Sequence, residues 1–449
     1  MNRLKRNGRQ RNWIWGLGVV FIFWAGWLMA ETPAKTLSLE KSIQIAFKES
    51  PALKSAEEGI RAAEYKKKQA QTGFFPKLSS QYRYTYLDKA PITSVQFGES
   101  GQILTAAVGT QNNYQFSLVL DQPLFTGFAL TRAYELADLG VDISRIKYEQ
   151  ERLTLAYKIK EAYFNILITQ KRKGVAEQSW VQITDHVRVA QQFYQVGIIP
   201  LNDLLKSEVE LAGAKQNLVR AENGVLLTQA GLNNLLRFSL EQMNDLEDIL
   251  IYRPFSNSLE ECQEEAQKKR PEIKEVETQM TMADKQIALA KSDYYPQAFF
   301  QGTYKMQGDN PAVSGSPYTE PTNWDVTAGL RWNFWEWGRT HYLVQERTKQ
   351  WNQVKEALTQ IKDLVRLEVK EAHIGLQESE KNIAVAEKAI QQAEENYRIS
   401  ELRYKEQVAT SLEVLDAQTL LTQAKNNFYQ ALYAYNLAQA RLTRAMGGW

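Results

Sequence analysis

The chain has 449 residues, of which 44% are hydrophobic and 24% are charged, and its formal net charge is +2. This composition is too polar for a polytopic helical membrane protein, which needs several apolar runs of about 20 residues, and too apolar for a disordered chain. The single cysteine, Cys262, excludes an internal disulfide and a multi-cysteine zinc site, and the near-neutral charge gives no reason to expect nucleic acid.

The N-terminal segment differs from the rest of the chain. Five Lys and Arg residues lie within the first 11 positions, and an uncharged stretch follows from Asn12 to Ala30. A basic start, an apolar segment and a small residue at its end are typical of a secretory signal peptide. An uncleaved membrane anchor is the alternative, because about 18 uncharged residues could just span a bilayer. We predict a signal peptide at 1–30 and an exported protein.

The strongest pattern in the remaining chain is an internal repeat. Lys160-Glu161-Ala162 recurs 210 residues later as Lys370-Glu371-Ala372. Before the predicted loop of each half, matching residues are instead 220 positions apart. Two constant offsets over most of the chain are not a chance result. The sequence therefore predicts a tandem duplication, with a first repeat at 31–247 and a second at 248–449.

Each repeat has the same predicted order: a helix, a strand, a loop, a strand and two very long helices. The first loop, at 89–111, is polar and rich in Gly and Ser. The β-hairpins are predicted at about 77–123 and 297–335, and the long helical hairpins at about 127–237 and 338–447.

The predicted strands alternate apolar and polar residues, as in 81–86 and 324–334, and reach the 10–12 residues that a tilted strand needs to cross a bilayer. A soluble sheet with one buried face is the alternative, but no other segment could cover that face. Four strands cannot close a barrel, so several chains must contribute strands. Trp332, Trp335 and Trp337 then form a membrane-interface belt, with a core cluster as the alternative.

The long helices have coiled-coil spacing. Five apolar residues recur every seven positions: Val414, Leu421, Phe428, Tyr435 and Leu442. Alanines form a second track three residues after the first, which is the spacing of a coiled-coil seam. The segment from Gly338 to Tyr404 has no proline and predicts a helix of about 100 Å at 1.5 Å per residue. A helix of that length does not fit a compact domain, so the sequence predicts a rod or a tube.

Over residues 36–447 the chain resembles the TolC family of outer-membrane export ducts. The resemblance rests on the duplication and on two motifs. Gln122-Pro123-Leu124-Phe125-Thr126-Gly127 is similar to the family's strand-exit motif, and the segment from Tyr404 to Gln418 is similar to its helical-hairpin tip. The family also implies shorter helices near 36–73 and 240–293, around the middle of a tunnel.

The resemblance implies a mixed α/β membrane protein in the outer membrane. Three chains with four strands each form a homotrimeric, twelve-stranded β-barrel, which continues as a long α-helical coiled-coil tunnel into the periplasm. The implied partners are the lipid bilayer, a periplasmic adaptor (membrane fusion) protein and an inner-membrane pump of RND, ABC or MFS type. The implied cargo is drugs, metals or proteins.

Two turns between the long helices are implied to be adaptor-docking tips. Their residues are Val196, Gly197 and Ile198 in the first turn, and Val408, Ala409 and Thr410 in the second. Gly197 can supply the positive φ that a tight turn needs. In the second turn Gln407 stands where the family usually has glycine.

Glu413 and Asp416 lie three residues apart on one helical face, where the simplest interpretation is a solvated helix start. The resemblance implies that they form a pore constriction of six carboxylates in a trimer. Tyr404 and Asp203 match the family's inter-hairpin latch, but Ala409 stands where an arginine can complete that network.

No catalytic, cofactor or metal site is predicted. His186, His341 and His373 are scattered without metal-ligand spacing, and neither a phosphate-binding loop nor a serine-nucleophile motif is present. We predict a passive channel-tunnel of a tripartite efflux or type I secretion system, gated at its periplasmic helical tips. The alternative is a periplasmic coiled-coil adaptor or structural protein held by an uncleaved N-terminal anchor.

Overall fold

The computed structural model describes residues 36–97 and 102–449. The predicted signal peptide lies outside the described residues. The first repeat contains, in chain order, α1 (Leu39–Glu49), α2 (Pro51–Thr72), β1 (Lys77–Tyr86), β2 (Ile92–Phe97), β3 (Gln102–Ala107), β4 (Asn112–Phe125), α3 (Ala129–Gln195) and α4 (Leu201–Leu236). The second contains α5 (Leu259–Lys269), α6 (Pro271–Ala290), β5 (Gln297–Gly308), β6 (Thr322–Arg331), α7 (Arg339–Lys405) and α8 (Ser411–Ala445).

The first helix predicted in each repeat is in fact two helices. Ser50 separates α1 from α2, and Arg270 separates α5 from α6. Both residues have an extended backbone because a residue before proline is disfavoured in the α conformation. Pro51 and Pro271 then open the next helix, where the missing N–H costs little. The helix predicted from residue 240 starts only at Leu259, after a non-helical connection that contains the predicted repeat boundary.

The four predicted strands form one antiparallel sheet in the order β1-β4-β5-β6. Strands β4 and β5 join the two repeats at the centre of the sheet, and β1 and β6 are its edges. Strand β6 ends at Arg331, earlier than predicted. The chain then turns into α7 through positive φ angles of 51° at Trp337 and 82° at Gly338. Phe128 and Gly127 make the equivalent turn into α3.

The first loop differs from the prediction because it contains a separate hairpin. Strands β2 and β3 pair antiparallel from Ile92 with Ala107 to Phe97 with Gln102. The β-branched and apolar residues in these two segments favour strands, although the loop as a whole is polar. In the described residues the second repeat has no counterpart of this hairpin.

The long helices match the prediction. Helices α3 and α7 have 67 residues each, which gives a length of about 100 Å. Each packs against the following helix as a hairpin, and on α8 both predicted tracks are largely buried, including Val414, Leu421 and Ala417. None of the described helices combines the length and apolarity needed to cross a membrane.

The main hydrophobic core lies around the middle of the long helices, where the shorter helices and the 237–258 connection pack on them. Tyr163 of α3 is fully buried there, and its hydroxyl donates to the backbone carbonyls of Leu37 and Glu247 at 2.9 Å. The hydroxyl of Tyr435 donates to the carbonyl of Arg253 at 2.6 Å. These bonds fasten irregular segments to the helices, so the core fixes the positions of both hairpins.

Candidate functional site

The first helical tip connects α3 to α4. Gly197 has φ +76°, and the N–H of Ile198 donates to the carbonyl of Phe193 at 2.8 Å. A Cβ at Gly197 would meet no atom within 4 Å, so glycine is required for its backbone conformation and not for space. Pro200 is the extended residue just before α4, outside the helix.

The second tip connects α7 to α8 with the same turn. Gln407, at the position equivalent to Gly197, has φ +60°, and the N–H of Val408 donates to the carbonyl of Arg403 at 2.8 Å. A residue with a Cβ is disfavoured in this conformation by about 1 kcal/mol. The sequence departure at Gln407 therefore leaves the turn unchanged and adds backbone strain to it.

The predicted adaptor-docking residues lie at the outermost points of the two turns. The side chains of Val196, Ile198 and Val408 are exposed although they are apolar. Gly197 and Thr410 are exposed, and Ala409 is half-buried. The two tips thus present a small apolar surface at the end of the helices, and their docking role stays a prediction.

Glu413 and Asp416 are both exposed on the first turns of α8. Glu413 has a structural role, because Thr410 and Glu413 form a reciprocal capping box at the start of the helix. A carboxylate oxygen of Glu413 also lies 3.4 Å from a guanidinium nitrogen of Arg403. Asp416 lines a groove between α4 and α8, as does Asp203. A solvated helix start, the simplest interpretation of this pair, therefore accounts for Glu413. Asp416 is the more available carboxylate for a constriction.

The predicted latch residues lie close together without a hydrogen bond between them. Tyr404 is buried between the rings of His186 and Phe193, at centroid distances of 4.8 and 5.4 Å. Burial raises the pKa of Tyr404, and the charge of Asp203 raises it further. In the described part of the chain the Tyr404 hydroxyl has no hydrogen-bond partner, and the Asp203 carboxylate lies 3.5 Å from the Lys206 ammonium. The latch therefore stays a prediction.

A buried polar cluster connects the two hairpins just above the tips, and the sequence analysis did not find it. The Nε2 atom of His186 lies 2.7 Å from the Oγ atom of Ser411, which lies 2.8 Å from the Oγ atom of Ser207. The Ser207 hydroxyl donates to the Asp203 carbonyl at 3.0 Å. The available signal was that Ser207 occupies the small-residue track of the seam, where the second repeat has Ala417.

His186 is only 7% exposed. Burial lowers its pKa from 6.5 to about 4, although the negative charge of Glu401 acts in the opposite direction. The imidazole is therefore neutral at pH 7. His341 is exposed and His373 is half-buried on α7, far along the chain from this cluster.

The aromatic residues after β6 are exposed in the single chain. Trp332, Trp335 and Trp337 have exposed fractions between 54% and 85%, and the indole N–H of Trp332 donates to the carbonyl of Tyr294 at 3.1 Å. Among the described residues these tryptophans form no buried cluster, and their membrane-interface role stays a prediction. Among residues 36–97 and 102–449, no group of three or more His, Cys, Asp or Glu residues could hold a metal ion.

Comparisons with known proteins agree on one family. The pattern of the family described as "Outer membrane efflux protein" matches residues 42–236 and 263–448. Outer membrane protein TolC of Vibrio cholerae is 20% identical over 304 residues, 67% of this chain and 69% of the relative. TolC of Escherichia coli is 21% identical over 348 residues, 74% of this chain and 69% of the relative. Among solved structures, CusC has a TM-score of 0.76 at 15% identity and 92% coverage of both chains. These results confirm the predicted channel-tunnel fold and the outer-membrane location.

Proposed function

Because this chain belongs to the outer membrane efflux protein family, we propose that it is the passive duct of a tripartite efflux or type I secretion system. A periplasmic adaptor protein joins it to an inner-membrane pump of RND, ABC or MFS type, which supplies the energy and the cargo. The family match disfavours the alternative of an anchored periplasmic adaptor, and the exposed aromatic strands also argue against it.

The observation that carries this proposal is the four-stranded sheet with two open edges. Strands β1 and β6 each have ten residues and, in the part of the chain that the structure describes, one pairing partner. In lipid, unpaired backbone N–H and C=O groups cost several kcal/mol each, so a spanning sheet must close on itself. Pairing of β6 of one chain with β1 of the next closes a barrel of twelve strands when three chains assemble. The active form is therefore a homotrimer.

The far end of the tunnel is the gate. A trimer has three copies of Glu413 and Asp416 near the tips, and clustered carboxylates attract cations and repel anions. The exposed apolar residues Val196, Ile198 and Val408 give an adaptor a surface to bury on docking. Docking then supplies the binding energy that separates the hairpins.

Planar-bilayer recording of the purified full-length trimer tests this function. We expect a small, cation-selective conductance for the wild type. Glu413→Gln combined with Asp416→Asn removes the constriction charges and should lower the cation selectivity several-fold. Asp363→Asn, on an exposed part of α7 away from the tips, is the matched control and should keep the wild-type selectivity.

Two results would count against the proposal. A trimer that inserts and forms no channel, with or without the two substitutions, contradicts a duct. A channel whose selectivity is equal in the wild type, the double variant and the Asp363→Asn control contradicts the constriction at Glu413 and Asp416, because removed charges must change the local ion concentration.

A further inference from the structure

We propose that His186 is the positioning residue that holds the two helical hairpins together near the tips, and that its protonation releases them. This inference rests on the proposed function, since it concerns the same gate, and it adds a trigger that acts without a partner protein.

The cluster lies between the two hairpins. His186 lies on α3 and Ser207 on α4, so both belong to the first hairpin. Ser411 lies on α8 and Tyr404 on α7, so both belong to the second hairpin. The His186 ring contacts Tyr404, and its Nε2 atom bonds the Ser411 hydroxyl. The His186 ring thus contacts both helices of the second hairpin, and Ser411 links it to Ser207 of α4. Hairpin separation must break these contacts.

The hydrogen bonds of the cluster have a defined direction. The Ser207 hydroxyl gives its one proton to the Asp203 carbonyl, so its oxygen accepts from Ser411. Ser411 has then used its own proton and must accept from His186. The neutral ring therefore carries its proton on Nε2, and donation runs from His186 through Ser411 and Ser207 to a backbone carbonyl. This chain is complete with a neutral imidazole.

Among the described residues, a charged ring would have no bonded counter-ion. Four carboxylates near the cluster already have a basic partner, and none of them bonds His186 in the described part of the chain. These pairs are Asp185 with Arg188 on α3, Asp203 with Lys206 on α4, Glu401 with Lys405 on α7, and Glu413 of α8 with Arg403 of α7. A second proton on Nδ1 would place a charge without a bonded counter-ion against the ring of Tyr404.

The sign of the pH effect follows from these facts. Burial lowers the pKa of His186 to about 4 in the joined arrangement, and separation of the hairpins returns the ring to water, where its pKa is near 6.5. A depressed pKa means that acid favours the separated arrangement. Between pH 7 and pH 5, the ratio of joined to separated hairpins should fall about 20-fold per chain.

Direct titration tests the inference independently of conduction. The chain holds three histidines, so the signal that is lost in His186→Gln identifies His186. In NMR spectra of the untagged, histidine-labelled trimer, with His186→Gln used for assignment, the His186 ring should remain neutral at pH 6, where an unperturbed imidazole is mostly protonated. A His186 ring that is mostly protonated at pH 6 would overturn the inference.

Conductance at pH 7 and pH 5 tests the release. We expect the wild-type conductance to rise at least several-fold at pH 5. His186→Gln keeps a neutral donor and should lose most of this rise, whereas His341→Gln should keep it. Equal pH profiles for the wild type and His186→Gln would overturn the inference. A complete lack of channels would instead contradict the proposed function, and the titration would still decide the role of His186.

Discussion

The tips at 195–200 and 407–410 form the same hydrogen-bonded turn, but different residues hold them. The first tip has glycine at its positive-φ position and no side-chain cap on the following helix. The second has Gln407 at that position, and α8 begins with the capping box of Thr410 and Glu413. Duplication has therefore kept the backbone while the side chains diverged. The second tip combines a strained turn with a stabilised helix start, and its residues Ser411 and Tyr404 reach across to the first hairpin.

The largest expected effect of a single substitution is at the first tip. Gly197→Val puts a β-branched residue at φ +76° and should destabilise the turn by about 2 kcal/mol. Hydrogen exchange of the amides at 195–199 and 201 should accelerate about 30-fold. Gly213→Val, at an open position in α4, is the control and should leave exchange at the tip unchanged. An unchanged exchange rate in Gly197→Val would show that the turn does not need glycine.

The capping box should produce the next largest difference between the tips. Thr410→Ala removes the acceptor for the Glu413 N–H and should destabilise the start of α8 by about 1 kcal/mol. Pro200→Ala, at the equivalent position before α4, removes no cap and should change the exchange rates of α4 by much less. If both variants loosen their helices equally, the two tips are not capped differently.

Relief of backbone strain should stabilise the second tip, and this effect should be smaller than the two losses of stability above. Gln407→Gly should stabilise the turn at 407–410 by about 0.5 to 1 kcal/mol, because glycine adopts a positive φ without steric cost. Slower hydrogen exchange of the Val408 amide is the measurement. Faster exchange would mean that the Gln407 side chain makes a compensating contact.

The smallest expected effect concerns the ion pair of Arg403 with Glu413. Both side chains are about half exposed, so Arg403→Gln should cost less than about 0.5 kcal/mol. The difference from the wild type should vanish in 1 M salt, where charges are screened beyond about 3 Å. A large, salt-independent loss would indicate that Arg403 acts through its hydrogen bond to the Val408 carbonyl instead.

Elements whose own residues follow a regular pattern could be predicted from the sequence. Periodicity located the four barrel strands and the four long helices, and the duplication located the two tips. The breaks at Pro51 and Pro271 were visible as prolines, but the repeat pattern runs through them and favoured one helix. The hairpin of β2 and β3 was missed because its short apolar segments are diluted in a polar loop.

The His186 cluster could not be predicted in the same way. Its hydrogen bonds join residues that are 204 and 225 positions apart, on different hairpins. Heptad spacing shows which face of a helix is buried, but it does not show which seam positions of two hairpins meet. Ser207 in the small-residue track of the seam was the one available signal, and its meaning depends on the residues opposite it.

The central claim is that conduction requires the two hairpins to separate near the tips. Ser207 and Ser411 have their hydroxyl oxygens 2.8 Å apart, so Ser207→Cys combined with Ser411→Cys places two thiols close enough to form a disulfide between the hairpins. The most direct test is the bilayer conductance of this double variant at pH 5, first oxidised and then reduced. The account predicts little conductance with the disulfide formed and recovery after reduction. Equal conductance in both states, with the disulfide verified by mass spectrometry, would contradict it.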